Sequence, residues 1–107
     1  MLNNYLSVTF RQVSCSDDFV RHIKAKGEKL RRTHCGIERC RVVIEKPHRR
    51  HRNGNRVRVN VSLSLPGKRF FASSETGNQP EDIGTALSAA FDSLENSVNG
   101  FVHRRAR

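Results

Sequence analysis

The chain has no tryptophan, one tyrosine, three prolines and three cysteines in 107 residues. An odd, small number of cysteines excludes a framework of paired disulfides. A reducing, cytoplasmic setting is the natural expectation. No apolar run approaches the roughly 20 residues that would span a bilayer, so no membrane partner is expected. The opening MLNNYLSVTF lacks a basic start followed by an apolar stretch, and no secretory signal is read there. There is no repeat and no low-complexity linker, so residues 1–107 read as a single domain, with 103–107 as a basic tail. Nucleophile-elbow, P-loop and dinucleotide-binding glycine patterns are missing. Asp17-Asp18 is a carboxylate pair, but helix capping accounts for it. An enzyme, a cofactor and a small-molecule substrate are therefore not expected.

Acidic residues are also scarce, at 10 against 20 lysines and arginines, for a formal charge of +10. Fifteen of the twenty cations are arginine, whose planar fork matches phosphate oxygens. A small domain that repels itself this strongly fits a polyanionic partner, nucleic acid foremost.

Hydrophobic periodicity gives the elements. Leu6, Val8 and Phe10 alternate with polar residues as in a half-buried strand. Ser14 or Ser16 can cap a helix with Asp17 and Asp18 in its first turn. Phe19, Val20, Ile23, Gly27 and Leu30 share one face of it, and Lys29, Arg31 and Arg32 crowd its end. Cys40, Val42 and Ile44 mark a second strand, and Val57 to Leu65 a third of strict alternation. Pro66-Gly67 fits a type II turn into a fourth strand, about 68–73, with residues 74–80 as loop. Ile83, Leu87, Ala90, Phe91, Leu94, Val98 and Phe101 make the stripe of a long helix opened by Pro80. The class is α+β in the order β-α-β-β-β-α. The economical assembly is a four-stranded sheet with both helices on one face and the other face wet. The last elements have the order of a double-stranded-RNA-binding domain with an extra strand in front.

Charge is concentrated. Residues 39–58 carry Arg39, Arg41, Lys46, Arg49, Arg50, Arg52, Arg56 and Arg58 against Glu45 alone, whereas 80–95 carry four acids and no base. Such asymmetry marks a directed surface. Outward positions of the first three strands hold no aromatic, unlike RNA-recognition sheets, and no GXXG loop is present. Binding is expected to rest on phosphate, sugar and shape, with little base readout. The candidate RNA-binding residues are Lys26, Lys29, Arg31, Arg32, Arg41, Arg49, Arg50, Arg52, Arg56, Arg58, Arg104 and Arg105. Arg56 and Arg58 are expected on the open sheet face.

Cys35, Cys40, His48 and His51 have a spacing reminiscent of a zinc site. A strand between Cys40 and His48 would hold them roughly 26 Å apart. Cys40 therefore reads as a core residue, and no metal is expected.

The segment CRVVIEKPHRRHRNGNRVRVNVSLSLPGKRF resembles the small ribosome-associated hibernation factors. These are also called protein Y, ribosome-associated translation inhibitor or sigma-factor modulation protein. The basic loop, the Pro-Gly turn and the final helix fall in the family's order across nearly the whole chain. The resemblance implies the β-α-β-β-β-α fold. It also implies binding to small-subunit rRNA in the channel used by mRNA and tRNA, blocking translation and protecting idle ribosomes. Lys26 matches a family lysine, and Ala86, Leu94 and Glu95 match the final helix. Gly27 stands in place of an apolar residue, Gly84 of a tyrosine, and Asn96-Ser97 of an Arg-Gln pair. The chain looks like a short form, without the second domain that pairs ribosomes, and is expected to be monomeric when free. The alternatives are a general structured-RNA or DNA binding module and an adaptor for an acidic protein partner.

Overall fold

The structure, a computed structural model, describes residues 5–14, 16–34, 36–46, 56–77 and 79–105, with the side chains of 103–105 excepted. Among these residues the order is β1 (Leu6–Arg11), α1 (Asp17–Thr33), β2 (Arg39–Glu45), β3 (Val57–Leu65), β4 (Lys68–Thr76) and α2 (Pro80–Arg105). The strands form one sheet in the order β1-β2-β3-β4. β1 and β2 are parallel, joined across α1; the β2–β3 and β3–β4 pairs are antiparallel. Both helices lie on one face, as the patterning predicts.

Each strand contributes alternate residues to the core. Cys40 sits between Leu6 and Leu63, Val42 beside Val61, and Ile44 beside Val59. These side chains and the α2 stripe of Ile83, Leu87, Phe91, Leu94 and Val98 form one buried cluster. Ile23 and Leu30 close it from α1. Ser16 is the cap of α1, its hydroxyl accepting from the Phe19 amide at 3.4 Å. Asp17 and Asp18 then face the positive end of the helix dipole. Gly67 has φ of 73°, the left-handed conformation that the β3–β4 turn requires and glycine adopts freely.

Two boundaries differ from expectation. β4 continues to Thr76, three residues beyond the expected strand, because Ser74 and Thr76 pair with Val59 and Val57. The nine-residue β3 needs a partner for its backbone groups along its whole length. α2 likewise continues through Arg105, so 103–105, read as tail, are helical in backbone. Basic residues suit the negative end of a helix.

Gly27 is explained by its neighbours. The Tyr5 hydroxyl donates to its carbonyl at 2.8 Å, and the Tyr5 ring and Leu6 cover that turn of α1. A β-carbon at position 27 would meet Leu6 Cδ1 at 3.4 Å and Tyr5 Cε2 at 3.8 Å, close to ordinary contact. Gly27→Ala therefore fits and removes a mid-helix glycine worth about 1 kcal/mol. Its melting temperature is expected to rise by roughly 4–8 °C. Gly27→Leu has no room against Leu6 and is expected to lower it. Thermal denaturation of both variants checks the pair, and a fall for the alanine variant would contradict this packing.

Candidate nucleic-acid interface

The sheet register sorts the open face into rows. At the end where β2 leaves the sheet, Arg11, Glu45, Arg58 and Glu75 lie side by side across all four strands. Arg11 Nη1 is 3.7 Å from Glu45, and Arg58 reaches Glu45 at 3.9 Å and Glu75 at 3.1 Å. Asn60 Nδ2 donates to Glu45 at 3.3 Å, and Ser73 donates to Asn60 at 2.6 Å. This end of the face neutralises itself. Arg58 is on the open face as expected, but this RNA-binding candidate is held between two carboxylates. The cross-strand register that puts Glu45 and Glu75 on either side of it decides this.

The opposite end is different. There one row holds Ser7, Arg41, Ser62 and Phe71, and the next holds Arg39, Ser64 and Arg69. No acid stands among them. Arg39, Arg41 and Arg69 are exposed and make no ion pair among the described residues. The α1 C-terminus reaches the same end. His34 closes the helix, and four residues later the Glu38 amide donates to Ser64 at 2.7 Å. Arg32 and Lys29 are exposed and unpaired among the described residues, and Lys26 is half-buried. Arg31 is partly engaged: its guanidinium lies 5.0 Å above the Tyr5 ring and 3.9 Å from Glu28. The end of the molecule is thus wrapped in cations, with α1 on one side of the sheet and Arg39, Arg41 and Arg69 on the other.

The remaining candidates divide. Arg56 is exposed and immediately precedes β3 at the far end, outside the strand itself. Arg49, Arg50 and Arg52 lie outside the described residues. Arg104 and Arg105 belong to the last turn of α2. The exposed acids of α2, Glu81, Asp82 and Asp92, keep its flank negative.

Three residues were not among the candidates: Arg39, which was counted only in the basic run, Arg69 and Phe71. Phe71 is 66% exposed on the open face; the first three strands hold no outward aromatic, as expected, and the fourth, to which that expectation did not extend, adds one. Consecutive phenylalanines do not say which one points outward. The signal was the register, since Phe70 pairs with Leu63 and packs edge-on against Phe101 at 5.6 Å.

Cys40 has no exposure, and burial pushes its thiol pKa up to about 12. A thiol held protonated in a core is neither a ready metal ligand nor a nucleophile. Cys35, His48 and His51 lie outside the described residues. A cleft of about 480 Å³ at the far end of the sheet is lined by Gln12, Val13, Ser14, Phe19, Lys46 and Ile83 among others. Among the described residues it gathers no group of cations. No helix among the described residues is long and apolar enough to cross a membrane.

A comparison with curated proteins finds no match. Among solved structures, the Protein Y N-terminal domain of Thermus thermophilus is similar, with 23% identity over 92% of this chain and 99% of that one and a TM-score of 0.69. A ribosomal subunit interface protein from Coxiella burnetii gives 16% identity over 92% and 98%, with a TM-score of 0.70. These likenesses concern the fold: a four-stranded sheet with two helices on one face. Residues 6–106 match the family described as sigma 54 modulation protein / S30EA ribosomal protein. A match that begins at β1 and ends beyond α2 takes in every element of the fold, and the chain belongs to that family.

Proposed function

We propose that the protein binds the small ribosomal subunit through rRNA phosphates in the mRNA and tRNA channel, inhibiting translation and stabilising idle ribosomes in the cytoplasm. The observation that carries this reading is the end where Lys29, Arg32, Arg39, Arg41 and Arg69 are exposed and make no ion pair among the described residues, although the exposed acid Glu38 lies beside Arg39. Elsewhere on the sheet the protein neutralises its own arginines. Cations left unpaired in one region release counterions when they meet phosphates, which is the main source of affinity for folded RNA. Family membership favours ribosomal RNA as the partner, and the basic run of residues 47–55 is proposed as a second grip. The role is one of binding rather than catalysis.

The test is cosedimentation with purified small subunits through a sucrose gradient. The protein is expected to travel with small subunits at about one copy each and to leave large subunits and duplex DNA of equal phosphate content largely unbound. Equal binding to all three would overturn the ribosomal reading in favour of a general nucleic-acid binder.

A further inference from the structure

Phe71 stands in the cationic end of the open face, and nothing in the fold uses it. Its neighbour Phe70 is turned into the core against Phe101, and that packing obliges Phe71 to point the other way. Around it the surface is flat and polar: Ser62 lies directly opposite, with Ser64 and Ser73 near by. Arg69 is two residues along β4, about 7 Å away, and Arg41 is two strands across, about 10 Å. A protein-docking hot spot clusters apolar side chains around a pocket. Phe71 instead lies alone among serines and arginines, which is the layout of a stacking platform between phosphate contacts.

We infer that this end of the sheet holds an unpaired RNA nucleotide, its base stacked on Phe71 and its flanking phosphates held by Arg41 and Arg69. The inference rests on the ribosomal reading for the source of the RNA. It adds a site at which single-stranded character is recognised, because a base inside a duplex does not offer its face to a ring. Arg39, beside Arg41 on the same strand face, extends the phosphate track.

The chain has no tryptophan, so Phe71→Trp installs a single reporter on the platform. Its emission is expected to be quenched by an oligouridylate of about twenty nucleotides and by small subunits, and far less by the same strand annealed to its complement. Phe71→Ala is expected to bind small subunits between about fivefold and a hundredfold more weakly. Phe71→Tyr is expected to restore binding, and all three variants should melt like the parent because the ring is exposed. If the parent cosediments with small subunits and Phe71→Ala binds equally well, the stacking site is overturned while the ribosomal reading stands. Quenching by oligouridylate with no cosedimentation supports the site and overturns the ribosomal reading. Equal quenching by duplex, or a blue shift without quenching on the subunit, overturns the site, the latter in favour of a protein contact.

Discussion

Replacing Arg32, Arg39 and Arg41 together by glutamate is expected to lower affinity for small subunits about a thousandfold or more without altering the fold. All three are exposed, supply nothing to the core and have no acidic partner among the described residues. Each charge-assisted contact is worth about 1.5–3 kcal/mol, and reversal adds repulsion to the loss. Arg49, Arg50 and Arg52 reversed to glutamate should have an effect of the same order, as the segment between β2 and β3 carries Lys46, Arg49, Arg50, Arg52 and Arg56 and no acid. Arg58→Gln is the contrasting variant. That guanidinium already satisfies Glu45 and Glu75, so its removal should cost about 1 kcal/mol of stability and change affinity little. Titration of the variants against small subunits, with thermal melts alongside, checks the set. Full binding by the triple variant at the cationic end would mean that the open end is not the contact surface.

Salt should have an effect as large. If about six phosphates are neutralised, log K falls linearly with log salt by roughly 0.7–0.9 for each contact. Affinity is then expected to drop a thousandfold or more between about 50 and 200 mM salt. Cosedimentation or fluorescence titration across that range gives the slope directly. The Arg32, Arg39 and Arg41 variant should show a shallower one, by about the number of contacts removed. A flat dependence would point to apolar docking and to the adaptor alternative.

The fold was legible because its elements announce themselves by period. Val57 to Leu65 alternates without interruption, and the α2 stripe from Ile83 to Phe101 keeps helical spacing; all of its members are buried or packed on the core. The expected elements, their order and the shared helical face therefore appear as expected. The end of β4 was not legible. Its last residues, Ser73 to Thr76, have no apolar alternation and are strand only because β3 is there to pair with. The site was half legible. Charge density along the chain singled out Arg32 and Arg41 as candidates and passed over Arg39, and density does not say which cations meet acids across strands. Arg58 is neutralised by one residue 13 positions before it and another 17 after it, a relation set by register alone. Phe71 was hidden for the same reason. The surroundings of Gly27 are visible only once Tyr5 and Leu6 are seen lying over it.

The proposed function has one copy of this protein plugging the mRNA and tRNA channel of one small subunit. It is tested most directly by peptide output from a purified translation system, measured against the ratio of protein to ribosome. One set of ribosomes is used empty, and another is preloaded with mRNA and initiator tRNA. Inhibition of empty ribosomes is expected to be complete near one copy per ribosome, and preloaded ribosomes are expected to resist. Inhibition that needs a large excess, or that is the same with and without preloading, would contradict a plug and mean that the protein merely coats exposed phosphate.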